Sequence, residues 1–312
     1  MCRLDSTDAR VYLAPFRAIW NIAWLVLTFT CLLWGANAIA SKLAIGHVSP
    51  MSLVFLRWTA VCFALAVVLR RQIWAHREAL RARRAWILAA GAAGFTGFTV
   101  LFYIAAYFTS AVNMTLLQAV IPAFVLGGAA VFKGARITPM QVFGMIVTLV
   151  GVVVIAMRGD PAHILDLSFN FGDLLLIAAC ALYAAYTVAL RDRPAMPPLV
   201  LFTALAFAAF LTSAPALAVE MALGKFYWPT PFGWAVLAFV AVGPSLLSQL
   251  MFMRGVELIG PARAGVFTNL TPIFGSLLAV LVLGEPFHLY HAIALALSLA
   301  GIYIAERGAK QM

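Results

Sequence analysis

Charge is scarce in this sequence: Asp, Glu, Lys and Arg make up only 10% of its 312 residues, while 64% are hydrophobic. A soluble domain carries roughly 25% charged residues. A water-soluble fold of this length would leave most of its apolar area in water, so the composition points to a chain solvated by lipid. Cysteine is scarce as well. Cys31, Cys62 and Cys180 fall inside apolar runs, and no CxxC or Cys/His ligand spacing exists. A disulfide framework or a metal site is therefore not expected, and nothing calls for a cofactor. Also missing are paired aspartates within apolar runs, a Ser/His pair and an H-E-x-x-H motif. An intramembrane enzyme would need one of these.

What is present is a series of apolar runs near the length a membrane helix needs, about 20 residues. Ten spans are expected, near 20–45, 50–70, 85–109, 111–132, 138–157, 170–190, 198–222, 233–253, 261–283 and 286–305. Prolines mark the breaks, at Ser49-Pro50, Thr138-Pro139, Pro197-Pro198, Gly260-Pro261 and Glu285-Pro286, because a proline at a helix start costs no backbone hydrogen bond. Ala36-Asn37-Ala38 has the form of a signal-peptide cleavage site, but the apolar run continues to Ile45, so this segment is read as a span.

The formal charge of +10 raises the question of nucleic acid. The basic residues lie between apolar runs and form no patch on a polar domain, so basic loops on one side of a bilayer are the better reading. With the N-terminus inside, 17 Lys and Arg fall on the inner side against 3 (Lys42, Arg158 and Lys225) on the outer, with Arg57 within a span. That split predicts a multi-pass protein of the inner (plasma) membrane with both termini cytoplasmic. Its expected partners are the lipid bilayer and a small-molecule substrate, with no nucleic acid, and a monomer is expected.

The chain repeats itself. At an offset of 150, Phe102 meets Phe252, Pro122 meets Pro272, Gly134 meets Gly284 and Gly151 meets Gly301; at 149, Trp34 meets Tyr183 and Lys42 meets Arg191. Residues 1–160 and 161–312 thus read as two five-helix copies within one membrane domain. Five spans is an odd number, so the second copy enters from the opposite side. Inverted repeats are a feature of transporters, with substrate bound near the midplane between the copies. The expected fold is an all-α polytopic membrane protein of ten transmembrane helices in two inverted five-helix repeats.

Leu33-Trp34-Gly35-Ala36-Asn37, Phe55-Leu56-Arg57-Trp58 and Leu283-Gly284-Glu285 followed by Gly301 resemble, in this order, segments of the drug/metabolite transporter superfamily, in its EamA-type branch. The chain also resembles YddG-like exporters of aromatic amino acids. In the first copy the Gly-Glu position reads Gly134-Ala135, without the acid, so a site between the copies need not be symmetric. The resemblance implies export of amino acids, aromatic and other neutral, or of related metabolites by alternating access. A broad drug/metabolite efflux carrier coupled to protons is the alternative. No Asp or Glu lies in the middle of a span, and Asp173, Glu220, Glu257, Glu285 and Glu306 sit near span ends. A proton relay normally uses a buried carboxylate or His, so facilitated export is favoured, with Glu285 left as a possible coupling group.

Polar groups inside a membrane usually face a partner helix or a wet cavity. Trp34, Asn37 and Ser41 share one helix face, and Tyr183, Tyr186 and Thr187 share another. Ser245, Ser248 and Gln249 form a stripe in span eight; Asn113, Gln118 and Asn269 lie in spans four and nine; Tyr103 stands among Phe95, Phe98 and Phe102. The candidate substrate-binding set is Trp34, Asn37, Arg57, Tyr103, Gln118, Tyr183, Tyr186, Ser245, Gln249 and Asn269. Such amides and hydroxyls can equally bridge helices. Arg57 could hold a substrate carboxylate, or snorkel or bind backbone carbonyls. Pro122 and Pro272 are candidate hinges, or static kinks.

Overall fold

The computed structural model describes residues 20–134, 136–157, 170–259, 264 and 267–309. Arg3, Arg10, Arg17, Arg158, Arg263, Lys310, Ala135 and the Gly260-Pro261 break lie outside the described residues. Those residues form helices and no strand: α1 (Ala23–Leu43), α2 (Pro50–Ala75), a short α3 (Arg77–Ala82), α4 (Arg84–Ala105), α5 (Ala111–Lys133), α6 (Pro139–Ala156), α7 (Phe171–Asp192), α8 (Pro198–Ala222), α9 (Pro231–Ile259), α10 (Leu270–Leu283) and α11 (Leu289–Ala309). Seven of them, α1, α2, α4, α5, α7, α8 and α9, are long and apolar enough to cross a membrane, while α6, α10 and α11 contribute shorter apolar stretches of 10–17 residues.

Local chemistry sets the starts. Pro50, Pro139, Pro198 and Pro231 each occupy the first turn of their helix. Thr138 and Gln141 form a reciprocal capping box at α6. Ser110, Asn170 and Thr230 each accept from a backbone N–H of the helix they precede, satisfying donors a helix start leaves free. The ends depart from the sequence expectation in several places. Helix α2 runs on to Ala75 rather than 70, since Arg70 and Arg71 are exposed and arginine is a good helix former. Helix α9 reaches Ile259. Helix α11 starts at Leu289, after Pro286. Gly134 and Gly284, 150 positions apart, end α5 and α10 with φ of 60° and 66°, the left-handed cap that glycine adopts without steric cost.

Contacts between helices run mostly between the two halves of the sequence. Helix α2 packs on α8, α6 on α11 and the start of α5 on α10; α1 packs on α9 and α10, and α7 on α4 and α5. The α6–α11 seam is backbone against backbone. A methyl group at Gly144 would lie 2.4 Å from the Gly301 carbonyl oxygen, and one at Gly151 would lie 2.9 Å from that of Ala294. Small residues permit this approach, and where lipid is the solvent close packing is a main source of helix association.

Two helices carry a wide turn. Ala92–Gly97 in α4 and Ala241–Leu247 in α9 are π-helical, and their starts lie 149 positions apart. The second is one residue longer, 7 against 6. An extra residue in an α-helix is taken up as a π turn, and the repeat offset steps from 149 to 150 across this place.

Candidate functional site

Pro244 stands inside the π turn of α9. Having no N–H, it leaves the Val240 carbonyl without its usual donor. The next residue supplies one: Ser245 Oγ donates to Val240 O at 2.6 Å. With its proton committed, that hydroxyl accepts from Arg57 Nε of α2 at 2.9 Å. Arg57 Nη1 donates to Tyr103 Oη of α4 at 2.7 Å, and Tyr103 donates in turn to Asn37 Oδ1 of α1 at 3.0 Å. Four helices therefore meet at one guanidinium, and Asn37, Arg57, Tyr103 and Ser245 are all buried. Among the described residues no carboxylate pairs with Arg57.

Aromatic rings surround this network. The Arg57 guanidinium carbon lies 5.1 Å from the Trp58 ring centre and 5.7 Å from that of Tyr103, within cation–π range. Trp58 stacks on Phe95 at 4.8 Å, and Phe95 meets Tyr186 edge-on at 5.4 Å. Tyr186 lies 5.6 Å from Tyr183, which touches Phe98 at 5.3 Å. Gly94, in the π turn of α4, makes room for this row: a methyl group there would fall 2.3 Å from Tyr186 Cγ.

The candidate residues thus divide. Asn37, Arg57, Tyr103 and Ser245 form one hydrogen-bonded unit, with Tyr183 and Tyr186 in the adjoining aromatic row. The others stand apart from it. Trp34 lies against Phe252 at 5.3 Å. Gln118 donates to Met114 O of its own helix at 2.9 Å. Gln249 is half-buried, and Asn269 occupies the position before α10 without capping it by its side chain. Pro122 follows a 3-10 turn, Gln118–Val120, at the second position of the resumed α-helix, and Pro272 falls in the first turn of α10. Both stand at the start of an α-helical stretch, where a proline costs little.

A second set of polar residues, whose acids the sequence placed near span ends without showing their partners, lies at the end of the bundle where α2 and α5 begin. Glu220, in the last turn of α8, accepts from Ser49 Oγ at 2.6 Å and from the Met51 and Ser52 amides at 3.1 and 3.3 Å. Glu285, just beyond α10, accepts from the Ala111 and Val112 amides at 2.8 and 3.0 Å. Thr109 Oγ1 donates to Asp173 Oδ1. A carboxylate at a helix N-terminus meets both unsatisfied N–H groups and the positive end of the helix dipole. Glu285 is therefore engaged as a helix cap. Its one sequence signal was an acid at a span end. At the same end burial, with Tyr227 and Glu220 beside it, pushes the Tyr107 phenol up from its ordinary value. A cleft of about 1050 Å³ also opens here, lined by Lys42, Tyr107, Asn113, His288 and Tyr290 among others, and includes none of the four networked residues.

The EamA-like transporter family model matches residues 21–157 and again 170–306. The chain belongs to the EamA-like transporter family. It is similar to uncharacterized transporter YyaM of Bacillus subtilis (strain 168), with 24% identity over 295 residues covering 92% of this chain and 93% of the relative. An uncharacterized transporter of Archaeoglobus fulgidus is 24% identical over 90% of this chain and 96% of its own length. A solved crystal structure aligns with a TM-score of 0.63 at 22% identity, covering 91% of this chain and 96% of that one. The fold and the membership agree: this EamA-type chain is a multi-pass membrane protein of a transporter family.

Proposed function

We propose that this EamA-type chain exports amino acids, aromatic and other neutral, or related small metabolites, by facilitated alternating access. On this reading it has ten transmembrane helices in two inverted five-helix repeats, residues 1–160 and 161–312. The two stretches matched by one family model support the duplication, as do the paired π turns and the paired left-handed glycines. The contact pattern supports it too. Helices α2, α5 and α6 each meet their own counterpart, and the contacts of α1 mirror those of α7.

The observation that carries the functional reading is the buried Arg57 network. Its members come from α1, α2 and α4 of the first half and α9 of the second. A charge buried in a membrane is costly and usually functional, and a site between repeats is where a carrier holds its cargo. Guanidinium N–H groups suit a carboxylate, and the aromatic row beside them suits an apolar side chain.

The test is uptake of labelled phenylalanine, tryptophan, threonine and methionine into proteoliposomes, with and without an imposed pH gradient. Saturable uptake without a gradient, lost in Asn37→Ala, is the expected result. Absence of uptake for all four, in liposomes holding folded protein, would remove the amino-acid reading.

A further inference from the structure

Among the described residues, Arg57 is the buried charged side chain that lies away from the helix ends. Every described carboxylate is accounted for elsewhere. Glu78 lies beside Arg77, Asp192 pairs with Lys133 and Glu257 with Arg254. Asp173, Glu220 and Glu285 serve the helix starts at one end of the bundle. Asp5, Asp8, Asp160, Asp166 and the side chain of Glu306 lie outside the described residues. Among the described residues, the network around Arg57 thus holds a positive charge and no negative one.

Its hydrogen-bonding capacity is equally one-sided. Tyr103 and Ser245 accept from Arg57, and Asn37 Oδ1 accepts from Tyr103. These bonds engage the oxygens and use two of the five guanidinium N–H groups. Donors remain: the rest of the guanidinium, the Asn37 amide NH₂, and the buried Trp58 indole N–H, which has no acceptor among the described residues. A zwitterion would bring an ammonium group that finds no carboxylate here, and it would leave the net charge of the site unchanged. A carboxylate without an ammonium group would neutralise Arg57 and accept from the free donors. In a medium of low dielectric an uncompensated charge is expensive, and removing it favours binding strongly.

Resting on the carrier reading above, we infer that within its metabolite class the site selects monocarboxylate anions with an apolar or aryl body over the matching zwitterionic amino acids. Arg57 is the carboxylate receptor. Trp58, Phe95 and Tyr186 form the wall for the body of the molecule.

The test uses the full chain purified in detergent and three probes of one shape: labelled 3-phenylpropionate (anion), phenylalanine (zwitterion) and 2-phenylethylamine (cation). Phenylpropionate is expected to bind at least about tenfold more tightly than phenylalanine, with the amine weakest. Arg57→Gln removes the preference. Arg57→Lys keeps the charge but not the planar fork, so it retains anion preference with weaker binding, and it carries the test if the Gln variant does not fold. Phenylalanine binding as tightly as phenylpropionate, or tighter, overturns the inference while leaving amino-acid export standing. Phenylpropionate affinity unchanged in both Arg57 variants overturns the receptor assignment. If folded protein binds neither acid, the carboxylate basis of the proposed function falls as well.

Discussion

A hydroxyl one position after a proline sets how α9 meets α2. Pro244 withholds a donor from Val240, Ser245 replaces it, and the oxygen that does so then receives Arg57. Ser245→Ala would strand one buried guanidinium N–H of Arg57, while the Val240 carbonyl keeps the Ser245 backbone N–H through the π turn. Leaving a buried polar group unpaired costs about 1–3 kcal/mol. The variant should therefore unfold at a lower temperature in detergent, and a midpoint unchanged from wild type would show that another acceptor reaches Arg57. Gly94 is sensitive for a steric reason. Gly94→Ala drives a methyl group into Tyr186, and overpacking of this kind costs about 1–3 kcal/mol. Reduced thermal stability is expected in detergent. A midpoint unchanged from wild type would show that Tyr186 moves aside without cost.

Among the elements, α6 and α11 depend on being thin where they touch. Gly301→Leu has no room beside Thr148 and Gly144, so the two helices must separate. Loss of the monodisperse peak on size-exclusion chromatography is the expected outcome, against a near-normal profile for substitution at exposed Val153 of the same seam's outer face. The carboxylate caps behave differently. Glu285→Gln keeps one acceptor oxygen for the Ala111 and Val112 amides, sets an NH₂ group against the other amide, and removes the charge from the helix start. A loss of about 1–3 kcal/mol is expected, since one amide is left without an acceptor and the charge–dipole pairing is gone. A drop much larger than that would mean the carboxylate has a second partner.

These elements were unequally legible. The apolar runs gave helix positions well, because a bilayer demands long uninterrupted apolar segments. They misplaced ends such as Ala75 and Ile259, since charged residues halt an apolar run without halting a helix. Asn37, Arg57, Tyr103 and Ser245 could be picked out as polar residues in apolar surroundings. That they join one another, while Trp34, Gln118, Gln249 and Asn269 do not join them, depends on helix rotation that hydropathy does not encode. The π turns left one faint trace, the change of repeat offset between Trp34 and Phe102. Glu220 and Glu285 were visible as acids near span ends, but their capping role was not, because their partners are backbone amides of distant helices, which no side-chain pattern announces.

For the molecule as a whole, the caps bear on how its ends come apart. The first amides of a helix normally exchange with solvent fastest, having no partner within the helix. Here Met51, Ser52, Ala111 and Val112 are held by carboxylates of the other half of the chain. Their exchange with deuterium should be slow, and should quicken when that end of the bundle parts. Four backbone amides thus form a natural clock for opening, one that needs no label and can be read in the unmodified protein.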